Sequence, residues 1–286
     1  IPGRSDCQVC RGCEVNAYVN PTRIIPIRAS SLGDLFDCPA RWEAKNLLNK
    51  RNPAGARTRL GTAIHEAVTQ WDHLNLIGEE VSLEECEEIL HHQIWQPNEE
   101  VDWSDLDQNS AESIGQSLMH KYITHIAPTQ KFIGVEVRCE SLILADLGIE
   151  LTGTIDRIYE NEDGELGISD IKTGKAAVSS DGVVKTVGHA PQMGIYTVLA
   201  AHALQEPVTA PARIYGLTTG KTDKGQHVGI GEIESPAEVL LGTEEDPGLL
   251  HHAAKIIKHG TFYGNSKSML CNEKFCPAYA TCKFRK

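Results

Sequence analysis

The chain has 286 residues, 41% hydrophobic and 23% charged, which is enough apolar material to bury a core in one large domain or two small ones. No apolar run nears the ~20 residues of a membrane span, and the first residues lack the basic-then-apolar profile of a secretory leader, so a cytoplasmic protein is expected. A net charge of −12 argues against a basic surface that envelops nucleic acid, but leaves room for a strand held in one local groove.

Residues 1–29 read as an irregular arm carrying Cys7, Cys10 and Cys13, and residues 30–286 as one domain. Ser30 or Ser31 can cap a first helix, and Pro39 opens a second that runs through Leu48. Residues 49–59 form a basic loop. The string GTAIHEAVTQW (61–71) then places Ala63, Ile64, Ala67, Val68 and Trp71 on one helical stripe. Residues 79–127 read as acidic helices around a 97–107 loop, a helical cap on the main body. The middle of the chain changes period: 132–144, 149–159 and 166–172 alternate as strands. A Gly, Ser and Thr-rich loop (173–188) precedes a helix over 190–204. Two further strands (213–217 and 227–233), a helix over 246–259 and a cysteine-rich tail (269–286) follow. The order predicts a mixed α/β fold with one main sheet flanked by helices.

The chemistry concentrates in the hairpin around Asp163-Gly164. Asp170 and Lys172 alternate onto one strand face. A two-residue turn would place Asp156 and Asp170 on opposite faces. A three-residue turn, Glu162-Asp163-Gly164 with a left-handed Gly164, sets them directly opposite, and this register is the one adopted here. Facing carboxylates repel unless a cation lies between them, and hard oxygen ligands suit Mg²⁺ or Mn²⁺. Taken alone, the hairpin reads more readily as an exposed turn with an ordinary Asp–Lys pair.

The strings GTAIHE (61–66), GTIDRI (153–158), ISDIKTG (168–174) and Gln192 with Tyr196 occur in order over residues 61–196. Together they resemble the PD-(D/E)XK nuclease superfamily, most closely its RecB-like branch, whose motifs are G-x-x-x-H-E, G-x-ID-R, D-x-K-T-G and Q-x-x-x-Y. The resemblance implies a restriction-endonuclease-like core and a Mg²⁺- or Mn²⁺-dependent nuclease. Asp156, Asp170, His65 and the Ile171 carbonyl would be metal ligands. Lys172 would orient or deprotonate the attacking water, and Gln192 and Tyr196 would lie beside the metal and the DNA strand. An acidic residue ahead of the hairpin often assists in the family; Glu136 is preferred, with Glu140 the competitor.

Nine cysteines are an odd count without an export signal, and metal ligation outweighs a disulfide framework. Cys271, Cys276 and Cys282 need a fourth ligand, giving zinc or an iron–sulfur cluster. The resemblance, here to AddB-type and CRISPR-adaptation nucleases, implies that Cys38 completes a [4Fe–4S] site stapling the chain ends. The gap between Cys271 and Cys276 is longer than the family's usual one. Cys7, Cys10 and Cys13 are taken as free thiols.

Arg57, Arg59 and Lys175 are the leading groove cations, with Lys50, Arg51, Lys185 and the basic tail 283–286 behind them. DNA, expected as a single strand, would be the substrate. With no helicase motif, an unwinding or recombination partner would be a separate chain.

Overall fold

Apolar alternation builds a five-stranded sheet from strands between residues 132 and 233, and helices cover both of its faces. The structure, a computed structural model, describes residues 24–285; Cys7, Cys10 and Cys13 lie outside the described residues. In chain order, β1 (Ile25–Arg28) leads into α1 (Leu32–Asp37) and α2 (Pro39–Asn46). The short β2 (Ala54–Gly55) precedes α3 (Ala56–Ile77), α4 (Leu83–Trp95), β3 (Val101–Asp102) and α5 (Gln108–His125). Five strands follow: β4 (Phe132–Arg138), β5 (Leu142–Leu144), β6 (Ile149–Thr152), β7 (Thr154–Glu160) and β8 (Leu166–Gly174). Then come α6 (Ala190–Leu204), β9 (Ala212–Thr218), β10 (Val228–Ile233), α7 (Pro236–Leu241) and α8 (Leu249–His259).

The main sheet has the order β10-β9-β8-β7-β4. Strands β8 and β9 are parallel, with α6 in the crossover that parallel pairing requires; the other pairs are antiparallel. On one face Ile158, Ile168 and Ile214 pack with Met193 and Leu199 of α6. On the other, Ile171, Tyr215 and Leu217 pack with Leu60 and Ile64 of α3 and Leu118 of α5. This is the mixed α/β, restriction-endonuclease-like arrangement expected from the sequence. The helices of the 79–127 segment pack on α3 and form part of this second layer.

Several boundaries differ from the sequence reading. The arm taken as irregular to residue 29 already contains β1, which pairs in parallel with β6; Pro26 does not disrupt it because β1 is an edge strand. The 49–59 loop ends at Gly55, so Arg57 and Arg59 are helical. The strand expected over 149–159 breaks at Gly153, and the one over 132–144 breaks after Arg138. Their halves separate into β4 and β7 in the main sheet, and β5 and β6 in a three-stranded sheet with β1. A Cβ at Gly153 would lie 2.9 Å from Cε1 of Tyr196, so the chain crosses that ring where no larger residue fits. The last long helix starts at Leu249 rather than Asp246, and α7 was not anticipated.

Candidate active site

The register of the hairpin decides the site. Strands β7 and β8 pair Arg157 with Ser169 and Glu160 with Leu166, and Gly164 turns with φ +80°. Carried one residue on, that register sets Asp156 opposite Asp170, as the three-residue turn requires. The two carboxyl groups meet at the end of the sheet, between α3 and α6.

His65 comes from α3. A Cβ on Gly61 would fall 2.5 Å from Oγ1 of Thr173, so this glycine lets α3 lie directly against β8. One turn later His65 is on the same side of the helix. Its Nε2 sits 2.8 Å from Oδ2 of Asp156 and 3.6 Å from Oε1 of Glu136. Among the described residues, His65, Glu136 and Asp156 are the one group of three whose potential ligand atoms all lie within 4.8 Å of one another. Glu136, and not Glu140, therefore reaches the cluster. Its backbone is left-handed at φ +51°, a conformation that costs a residue with a Cβ roughly 1–2 kcal/mol.

Asp170 is buried at 2% exposure and forms an ion pair with Lys172. Gln192 donates from Nε2 to Oδ1 of Asp170 at 3.2 Å and to the Tyr196 hydroxyl at 3.2 Å, so α6 supplies both residues through one helical turn. The Ile171 amide donates to Oδ2 of Asp156 at 3.3 Å. Burial, reinforced by the nearby Asp156 charge, pushes the Asp170 carboxyl up to about 6. For Asp156 burial acts in the same direction, but the hydrogen bond and charge of His65 outweigh it and hold that carboxyl below its ordinary value. Burial lowers His65, yet its bond to Asp156 leaves it net raised. Burial raises Glu136. Asp156, Glu136 and His65 cluster together, Asp170 with Lys172 lies opposite Asp156 on the next strand, and such a donor set fits a hard divalent cation.

The layer behind the site contains a pair the sequence reading missed. Arg157 Nε donates to Oδ2 of Asp72 at 2.6 Å, and the Tyr122 hydroxyl donates to the same oxygen at 2.6 Å. Both charged side chains are essentially inaccessible. They tie α3, which carries His65, to β7, which carries Asp156. The signal was a charged residue, Asp72, one turn beyond Val68 on an otherwise apolar stripe.

The candidate groove cations divide. Arg57, Lys172 and Lys175 line an open cleft of about 480 Å³ beside His65. Arg59 does not belong there: it is buried, and its Nε donates to the Gln93 carbonyl at 2.5 Å, so it ties α3 to α4. Helix α3 begins early enough to turn Arg59 inward with Leu60 and Ala63.

Cys38, Cys271, Cys276 and Cys282 line one closed pocket together with Arg41. Burial pushes the Cys276 thiol up, and the nearby Cys38 and Cys271 add to this. The tail carrying three of them is bound to α1 and α2 by polar contacts. Arg41 Nη2 bonds Asp34 at 2.8 Å and Asp37 at 2.7 Å, its Nη1 donates to Ser268 at 3.1 Å, and Ser268 donates to Asp37 at 2.6 Å.

No curated protein matches the chain. A solved structure described as "Crystal structure of SSO0001" is similar over 90% of this chain and 85% of its own, at 14% identity and a TM-score of 0.40. A family model for the PD-(D/E)XK nuclease superfamily matches residues 27–283, nearly the whole described chain, and the protein belongs to that superfamily.

Proposed function

We propose that the protein is a metal-dependent deoxyribonuclease of the RecB-like branch, acting on single-stranded DNA from an end and stabilised by a [4Fe–4S] cluster. The observation that carries this reading is the convergence of Asp156, Asp170, Lys172 and His65 at one sheet end, with Gln192 bonded to Asp170. Mg²⁺ or Mn²⁺ held by Asp156, Asp170, His65 and the Ile171 carbonyl, with Glu136 as an auxiliary ligand, would offset the carboxylate charge and acidify a water. Lys172, anchored on Asp170, orients the attacking water and faces the charge that grows on the phosphoryl oxygens. Gln192 fixes the Asp170 carboxyl, and Tyr196 supports Gln192. Water adds to phosphorus, the bond to the 3′ oxygen breaks, and a 5′-phosphate remains. Arg57 and Lys175 supply charge for the DNA backbone in the adjacent cleft.

The four cysteines support the cluster. Cys38, Cys271, Cys276 and Cys282 all line one pocket beside Arg41.

The test is a time course with Mn²⁺ on end-labelled linear and circular single strands. Linear strands should shorten while circles survive, chelation should stop the reaction, and Asp170→Ala should abolish it. Wild-type protein that leaves both substrates intact and behaves like Asp170→Ala would be a binding module instead.

A further inference from the structure

A second cleft, of about 810 Å³, has Tyr196 in its lining and shares no residue with the cleft of Arg57 and Lys175. It sits where the two sheets part at Gly153. Arg28 of β1 is the ladder partner of Thr152, and Arg138 of β4 is the partner of Thr154, so the two arginines flank the Thr152-Gly153-Thr154 crossing. The hydroxyls of Ser30, Ser141 and the two threonines line the same space, with Glu140 the one acid among the lining residues.

Among the described arginines, Arg28, Arg51, Arg138 and Arg285 have no carboxylate within salt-bridge distance, and two of these four come together in this cleft. Acidic residues outnumber basic ones 39 to 27. Arg41, Arg57, Arg59, Arg157 and Arg213 each lie within salt-bridge distance of a carboxylate. Arg28 and Arg138 are exposed and, among the described residues, have no carboxylate within that distance. Two unpaired guanidinium groups with hydroxyls between them suit phosphate oxygens.

The cleft also adjoins the active site through Tyr196. Along β4, Arg138 is two residues from Glu136, and along β7, Thr154 is two residues from Asp156. Each spacing is about 7 Å on one strand face, close to the reach of one extended nucleotide. Tyr196 spans the boundary, with its hydroxyl on Gln192 and its ring against Gly153.

We infer that the Arg28–Arg138 cleft is a phosphate-binding subsite that holds one arm of a single-stranded polynucleotide, while Arg57 and Lys175 hold the other. The strand crosses the end of the sheet with its scissile phosphate between the two clefts. This rests on the nuclease reading of the central site, and it adds which side chains grip the substrate beyond it.

The experiment compares wild type with the double variant Arg28→Ala/Arg138→Ala, using Lys258→Ala on α8 as the baseline. With Mn²⁺ and a labelled single-stranded oligodeoxynucleotide, the double variant should raise KM roughly tenfold. In anisotropy titrations with chelator present, the slope of log affinity against log salt should shrink by about 0.7 per arginine, about 1.4 for the pair. Trimming the oligonucleotide from one terminus should erase the difference between the proteins, and trimming from the other should not. An unchanged KM and salt slope in a cutting enzyme would overturn the subsite, as would a loss confined to duplex DNA. If wild type fails to cut at all, the nuclease reading falls, while the salt slope still decides whether the cleft binds phosphates. Both side chains are exposed, so unfolding midpoints should match and exclude misfolding as the cause.

Discussion

Gln192 donates to Asp170 across 3.2 Å, joining the first turns of α6 to the middle of β8. The bond fixes which way a buried carboxyl faces, and supporting hydrogen bonds of this kind are commonly worth 10–100-fold in metal affinity or activity. Gln192→Ala should therefore slow single-turnover cleavage by roughly that factor while leaving the urea midpoint near wild type. Gln192→Glu should be worse, because a second carboxylate beside Asp170 raises its pKa further. Equal rates for wild type and Gln192→Ala would refute the assignment.

Asp72 and Arg157 make the opposite kind of prediction. Each partner is buried, so removing one leaves the other charged and unpaired, at a cost of about 3–5 kcal/mol. Asp72→Asn and Arg157→Met should each show that loss in urea denaturation. The paired replacement Asp72→Leu/Arg157→Met should be less destabilised than either single variant. Asp72→Asn should also weaken metal binding, since it loosens α3 beneath His65.

His189 gives a pH signature. Burial, with Lys172 and Lys185 nearby, pushes its imidazole down to about 4, against an ordinary value of 6.5. Between those values the unfolded chain takes up a proton that the folded chain refuses, so this residue's contribution is complete above 6.5 and fades as pH falls toward 4. Thermal midpoints measured across this window should fall less steeply for His189→Gln than for wild type. Parallel curves would show that the residue is not a determinant of acid stability.

The Arg41 contacts hold the C-terminal tail, and the proposed cluster would hold it independently. Arg41 bridges Asp34, Asp37 and Ser268, and Arg41→Met should lower the urea midpoint and expose residues beyond Gly264 to protease. Cys282→Ala should instead abolish the broad visible absorption of protein purified without oxygen, with the Arg41 contacts retained. Colourless wild-type protein containing stoichiometric zinc would overturn the iron–sulfur assignment.

The hairpin was legible because period-two alternation and one glycine, Gly164, fix its register, and that register places Asp156 against Asp170. The Gly61–His65 spacing was legible as a motif, and the contact with Thr173 supplies its physical reason. Arg59 misled because it lies in a basic run, and only the true start of α3 shows it facing inward. The Asp72–Arg157 pair spans 85 residues of sequence, so no local pattern could join its halves. Gly153 read as one more strand residue, since the flanking threonines continue the alternation across a break that tertiary packing creates.

The left-handed backbone at Glu136 has a wider meaning. Judged by conformational ease, glycine or asparagine would sit there more comfortably, and either would surrender an acid poised beside His65 and Asp156. On the proposed reading, the fold keeps the less comfortable residue because its acid serves the metal site, so durability would yield to reactivity at this point on β4. Efforts to toughen the enzyme by relaxing awkward torsions should leave this position alone.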